Sequence, residues 1–266
     1  MQIGSEANGI EFWRVSKRFL LHEGRTLREF VPALLRARGW SEPFYALRDV
    51  TFSIVRGETV AIIGPNGSGK STILKLIAGV MAPSEGELRV AGRVSPLIEL
   101  GAGFHPDLTG RENVYLNACI LGMSGKEARD RFDEIVTFAE LWDFIDTPVK
   151  RYSSGMYARL GFSVAVHSNP DLLLVDEVLS VGDASFEEKC LAKMHDFQAQ
   201  GTTIVLVSHS MDLVRKFCQR VLLLEGGALV AEGDPEEIIG RYLERVTPRV
   251  EMASSGQPTG ASRSAR

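Results

Sequence analysis

Short apolar runs closed by glycine or polar turns recur along this chain, and their lengths suit buried strands. Thr59-Val60-Ala61-Ile62-Ile63, Leu172-Leu173-Leu174-Val175 and Thr203-Ile204-Val205-Leu206-Val207 run without polar alternation, the pattern of parallel strands covered on both faces. Ile10 to Phe19 reads as an earlier strand with a basic end at Arg14, Lys17 and Arg18. Ala46 to Ile54 is a second, stopped by the turn Arg56-Gly57-Glu58, and Glu87 to Val94 is a further short one. Residues 109–166 carry mostly helical periodicity, broken at Met123-Ser124-Gly125 and Thr147-Pro148, whereas 171–230 return to alternating strand and helix. A short helix is expected from Asp234-Pro235 to about Arg245. The tail from Thr247 to Arg266, rich in Ser, Gly, Ala and Pro, has little to bury and is expected to be disordered. The pattern predicts an α/β fold: one domain over residues 1–246, a mainly parallel core sheet, and a helical subdomain over about 109–166.

One segment, about 20–45, has a different pattern. Leu27, Phe30, Val31, Leu34 and Leu35 fall at i, i+3, i+4, i+7 and i+8 and form one apolar helical stripe. Thr26-x-x-Glu29 has capping-box form, while Pro32 kinks the helix or delays its start. Arg25, Arg28, Arg36 and Arg38 ring the stripe, and Trp40, Phe44 and Tyr45 follow. A basic amphipathic helix with nearby aromatics suits a membrane-surface or partner-facing element. Packing on the protein's own sheet, with the arginines solvated, fits the pattern equally well.

Composition narrows the classes. The formal charge of −4 over 266 residues provides no global basic field for nucleic acid. Cys119, Cys190 and Cys218 are odd in number, widely spaced and without metal-ligand spacing, which suits reduced thiols used in packing. No apolar run approaches the roughly 18–20 residues that span a bilayer, and Met1-Gln2-Ile3-Gly4-Ser5-Glu6 lacks signal-peptide form. Any membrane role is therefore expected to come through a partner.

The chemistry concentrates in Gly64-Pro65-Asn66-Gly67-Ser68-Gly69-Lys70-Ser71, which fits G-x-x-x-x-G-K-[ST] at every position. It lies between the strand-like Thr59–Ile63 and the helix-like Thr72–Ile77. The glycines let successive backbone N–H groups turn inward as an anion nest, where a Cβ would block a phosphate oxygen. The following helix N-terminus adds partial positive charge. Lys70 can reach the β- and γ-phosphates and the Ser71 hydroxyl can hold Mg²⁺. Asp176-Glu177 close the run Leu172–Val175, and two acids at a buried strand end need a partner that satisfies them. Beside a phosphate loop, Asp176 can hold Mg²⁺ through water and Glu177 can polarise the water that attacks the γ-phosphate.

Arg151-Tyr152-Ser153-Ser154-Gly155-Met156 precedes a helical stretch, and here the chain resembles the ATP-binding-cassette (ABC) ATPases, whose signature usually reads Leu-Ser-Gly-Gly-Gln. Ser153 and Gly155 are kept, while Tyr152, Ser154 and Met156 depart. Ser153 lies 23 residues before Asp176, about the family spacing, and Asp183 follows Asp176 by seven, where the family carries its D-loop aspartate. Ser208-His209-Ser210 follows Thr203–Val207, where the family carries its γ-phosphate-sensing histidine. The resemblance implies a P-loop NTPase of the ABC type using ATP and Mg²⁺. It also implies a head-to-tail homodimer in which each ATP touches Lys70, Ser71, Asp176, Glu177 and His209 of one chain, with Ser153, Ser154 and Gly155 of the other. An aromatic from the 20–45 segment, or Phe19 at the end of the first strand, is expected on the adenine, with Tyr45 the choice. Asp-Glu-Val-Leu-Ser-Val-Gly-Asp (176–183) and Leu97-Ile98-Glu99-Leu100-Gly101-Ala102-Gly103-Phe104-His105-Pro106 look like one branch, the ATPases of O-antigen, capsule or teichoic acid exporters. That branch implies an integral membrane permease, a lipid-linked polysaccharide handled through it, and a peripheral place on the cytoplasmic face of the inner membrane. The family's Mg²⁺-ligating glutamine is missing from residues 97–106, where Glu99 or Leu100 stands nearest its place and Glu99 is the candidate metal ligand. The same loop is expected to be the coupling surface, mobile through Gly101, Gly103 and Gly110 and anchored by Phe104. An exporter of a drug or another lipid, or a soluble non-transport ABC ATPase, is the alternative reading.

Overall fold

The computed structural model describes residues 8–19, 43–98, 100–176 and 183–246. Among the described residues, nine strands form two sheets. β1 (Asn8–Phe19), β2 (Phe44–Val55) and β4 (Glu85–Val90) make an antiparallel sheet in the order β2-β1-β4. The second sheet runs β5-β6-β7-β3-β8-β9, from β3 (Thr59–Ile63), β5 (Val94–Leu97), β6 (Leu172–Asp176), β7 (Thr203–Val207), β8 (Arg220–Glu225) and β9 (Ala228–Gly233). Every pairing in it is parallel except the β8–β9 hairpin at its edge. The mainly parallel core sheet expected from the apolar runs is therefore present.

Glu87–Val94, expected as one strand, is two. Gly92 at φ +91° turns the chain out of the antiparallel sheet. A Cβ there would sit 2.6 Å from the Asp171 side chain, whose Oδ2 accepts the Arg93 N–H at 2.7 Å. The chain then pairs in parallel with β6 as β5, a strand that the pattern did not separate from the loop after it.

Burial along the parallel strands alternates with period two between two cores. Ala61, Ile63, Leu173, Val175, Ile204, Leu206, Val221 and Leu223 face one of them. Its other members come from α5 (Ser154–Val166), α6 (Ala184–Ala199), α7 (Met211–Phe217) and α8 (Pro235–Val246). Val60, Ile62, Leu172, Leu174, Val205, Val207, Leu222 and Leu224 face the other, shared with α1 (Lys70–Ile77) and the antiparallel sheet. A third core lies within α2 (Gly110–Ile120), α3 (Gly125–Asp130), α4 (Phe132–Ala139) and α5. Thr109 and Ser124 close capping boxes onto Glu112 and Glu127, which places the predicted helix break at 123–125. The amphipathic stripe within 20–42 and the tail from 247 lie outside the described residues. No described helix is long and apolar enough to cross a membrane.

Candidate functional site

Strand order brings the sequence motifs together. β6, β7 and β3 are neighbours, and Val207 of β7 pairs with Asp176 on one side and Ile62 on the other. Asp176, the segment Ser208-His209 and the glycine loop after Ile63 therefore leave the sheet at one level, at the carboxyl ends of three adjacent strands. In an open α/β sheet this is where ligands bind.

Gly64, Gly67 and Gly69 all have left-handed φ, at +147°, +76° and +106°. The expectation that a Cβ would obstruct a phosphate needs correction at two of them. At Gly64 it would strike the Leu224 carbonyl, and at Gly69 it would lie 2.6 Å from the Ala46 carbonyl and the Leu47 side chain. These glycines let the loop sit against its own protein, whereas Gly67 opens onto free space. Pro65, Asn66 and Gly67 are exposed, while Ser68 and Lys70 are buried. Lys70 Nζ donates to the carbonyls of Gly64 at 2.9 Å and Pro65 at 3.0 Å. Among the described residues, Ser68 Oγ is the buried side-chain polar atom without a hydrogen-bond partner. Gly69, at the N-cap of α1, supplies no side-chain cap. A buried unpaired hydroxyl on Ser68, a lysine and the first-turn amides of a helix form a donor set for an oxyanion. Exposed Ser71 and half-buried Asp176 offer oxygen atoms suited to Mg²⁺. The described residues include no group of three or more His, Cys, Asp or Glu that could hold a metal alone.

His209 is exposed in a turn fastened on both sides: Ser208 Oγ accepts the Ser210 N–H at 3.0 Å, and Ser210 Oγ caps α7. Tyr45 lies half-buried on β2 under the Arg48 guanidinium, 5.2 Å from the ring centroid, one residue from the Ala46 carbonyl that meets Gly69. Glu177 and Glu99 lie outside the described residues.

Ser153 caps α5, accepting the Met156 N–H at 3.1 Å; Ser154 is exposed, and a Cβ on Gly155 would meet only the Ser153 hydroxyl, at 3.8 Å. α5 packs on α2, α4 and β5, and on the face of the parallel sheet opposite the one that α1 covers. Asp183 caps α6 through the Phe186 N–H, and its Oδ2 accepts from Arg159 Nη2 at 2.7 Å. The Phe186 N–H, and after it the Arg159 charge, hold the Asp183 carboxyl below its usual range against the opposing effect of burial.

The glycines of the segment after β5 make close contacts with the helices around them. Gly101 accepts the Tyr157 hydroxyl at 2.8 Å, and Gly161 of α5 has no room for a Cβ because the Gly101 nitrogen would lie 2.7 Å from it. Gly103 abuts Ile120 and Asn117, and Gly110 abuts the Tyr152 hydroxyl. Fully buried Asn113 accepts the His105 N–H and donates to the carbonyls of His105, Leu108 and Thr109. Phe104 serves as the apolar anchor, edge-on to Tyr157 at 5.0 Å. Beside this loop an apolar pocket of about 160 Å³ opens between Val80, Ile98, Leu100, Ile120, Leu121 and Ala165. Sequence reading missed Tyr157, Gly161, Asn113 and Arg159, because each acts on residues far away in the chain and carries no local motif.

The family profile described as ABC transporter matches residues 47–180. The chain is 52% identical over 202 residues to the O-antigen export system ATP-binding protein RfbB of Myxococcus xanthus, covering 76% of this chain and 46% of that protein. The chain thus spans about half the length of that relative. It is 46% identical over 241 residues to the O-antigen export system ATP-binding protein RfbB of Klebsiella pneumoniae, covering 88% and 96%. Among solved structures, a dimeric ATP-binding cassette in a post-hydrolysis state bound to ADP and Pi superposes with a TM-score of 0.68 at 27% identity, covering 85% of this chain and 98% of that one.

Proposed function

The chain belongs to the ABC transporter family, and on that premise we propose that it is the ATP-hydrolysing subunit of an exporter for a lipid-linked polysaccharide. The observation that carries the reading is the convergence of the phosphate loop, Asp176 and Ser208-His209 on the carboxyl ends of β3, β6 and β7. The relatives named as O-antigen export ATP-binding proteins supply the substrate class.

In this reading the α1 amides and Ser68 receive phosphate oxygens, and Lys70 exchanges its loop carbonyls for the β- and γ-phosphates. Ser71, Asp176 and Glu99 would hold Mg²⁺, which offsets phosphate charge. Glu177 orients and polarises the attacking water, and His209 contacts the γ-phosphate as the bond between the β–γ bridging oxygen and phosphorus breaks, releasing ADP and phosphate. Tyr45 stacks on the adenine. Two chains pair head-to-tail, so that Ser153, Ser154, Gly155 and the uncrowded start of α5 complete the partner's site. Asp183 lies at the same interface.

The apolar pocket beside the 98–104 loop is the proposed seat of the permease, since Val80 is 71% exposed and Ile120 60% exposed at its rim. The protein then lies peripherally on the cytoplasmic face of the inner membrane. The test is co-expression with the membrane protein encoded beside its gene. Copurification, with ATP turnover that rises when lipid-linked glycan is added, is the expected result. A chain that hydrolyses ATP at one rate, alone or with that membrane protein and glycan, would refute the exporter reading.

A further inference from the structure

Arg159 lies six residues beyond Ser153 on α5, about 9 Å along the helix. Its side chain, 17% exposed, holds three other groups at once. Nη2 donates to Asp183 Oδ2 at 2.7 Å, Nη1 donates to Glu140 Oε2 at 3.1 Å, and the guanidinium lies 4.9 Å from the centre of the Phe186 ring. Glu140 closes α4 in the left-handed region at φ +59°, a position that favours glycine. Its carboxylate is also bonded by Lys189 of α6. Two cations and two carboxylates thus form a charge-balanced chain, Asp183–Arg159–Glu140–Lys189, joining α4, α5 and α6. Asp183, its first member, follows Asp176 by seven residues and is the cap on which α6 begins.

We propose that Arg159 is a positioning residue that couples the two nucleotide sites of the dimer. It locks the helix that offers Ser153 and Gly155 to one site onto Asp183, seven residues after the Asp176 that serves the other. The inference rests on the paired-site reading above, in which each chain contributes its phosphate loop to one ATP and its α5 N-terminus to the second. A rigid link between α5 and Asp183 is then a link between sites, and nucleotide at one biases the geometry of the other. Bidentate geometry matters here: a lysine reaches one carboxylate at a time, whereas the guanidinium fork spans both. Asp183 and Glu140 keep side-chain exposures of 66% and 47%, so both stay hydrated without Arg159. Losing the link therefore removes coupling with little loss of fold.

The experiment measures ATPase rate against ATP concentration for the full chain, alongside thermal melting and affinity for a fluorescent ATP analogue. Wild type is expected to be sigmoidal, with a Hill coefficient of about 1.5 to 2 for two sites. Arg159→Gln is expected to fall to about 1, with melting nearly unchanged and analogue affinity within about twofold, and Arg159→Lys to lie between. Glu140→Gln weakens the second anchor of Arg159 while leaving the Arg159–Asp183 pair in place, and is expected to lower the coefficient as well, which keeps the test intact should Arg159→Gln fail to fold. Sigmoidal wild type with an unchanged coefficient in Arg159→Gln or Glu140→Gln overturns the coupling role alone. A coefficient that falls only in step with melting temperature across the three variants also overturns it, since Arg159 would then be merely structural. A hyperbolic wild type overturns the paired-site reading and the coupling role with it.

Discussion

Lys70 holds its ammonium against the Gly64 and Pro65 carbonyls from a buried position, so the charge that the phosphates need is already placed beside the α1 amides. Placement of this kind lowers the reorganisation that binding requires. What the loop cannot supply is a base for the attacking water, and among residues of this chain that task is proposed for Glu177, directly after the Asp176 strand end. Glu177→Gln keeps the shape and removes the charge. Turnover is expected to fall by on the order of 10²- to 10⁴-fold while ATP affinity is retained, read by phosphate release beside equilibrium nucleotide binding. Near-wild-type release would take the base role from Glu177. The cysteines divide at this scale too. Cys190 and Cys218 are buried, with thiols pushed up to about 12 by that burial, as packing residues should be. Cys119 is exposed, which corrects the packing role expected for it.

α5 carries the signature at one end and a buried histidine at the other. His167 follows its last turn, 8% exposed, with Nδ1 2.7 Å from the Ser163 carbonyl and Phe138 edge-on at 5.4 Å. Burial pushes its pKa below the ordinary value, helped by Lys193 and Arg131 and opposed by the Ser163 carbonyl and Glu134. The unfolded chain's imidazole titrates near about 6.5, so below that pH the unfolded state binds the proton first. Stability from neutral His167 is therefore complete above about pH 6.5 and lost as pH falls through the lower folded value. Thermal melting from about pH 7.5 to about pH 5.5 should show a falling midpoint, and His167→Asn should reduce the slope. An identical slope in the variant would mean that other groups govern the acid limb. The ion pairs through Arg159 secure the other half of the same helix, so α5 is fastened along its length to α4 and α6.

The phosphate loop, Asp176 and Ser208-His209 gather at the carboxyl ends of the parallel strands, while the apolar pocket opens between the end of α1, the loop after β5, α2 and α5. Exposed Val80 and Ile120 make that rim unlike an ordinary solvated surface. Val80→Asp together with Ile120→Asp should reduce copurification with the permease about tenfold or more and abolish glycan stimulation, because a carboxylate buried against an apolar partner is costly. Basal ATP turnover of the isolated chain should stay within about twofold, since neither residue touches the nucleotide site. Undiminished copurification would move the permease seat elsewhere.

Local order was legible in the chain because it arises from neighbours in sequence. The runs at 59–63, 172–175 and 203–207 are apolar on both faces and could only be buried parallel strands. Gly64–Ser71 carries its phosphate chemistry within eight residues. Strand order was not legible, and it alone sets Asp176, Ser208 and the phosphate loop side by side. Nor was the division of Glu87–Val94 into two strands of different sheets, which depends on Gly92 meeting Asp171 some eighty residues on. The glycines show the same limit. The sequence marks Gly64, Gly69, Gly101 and Gly103 as permissive, but only the fold decides that what presses on them is Leu224, Ala46, Tyr157 and Ile120. Patterning within a segment is governed by propensity and burial period, whereas contacts such as Arg159 with Asp183 exist only once distant segments are packed together.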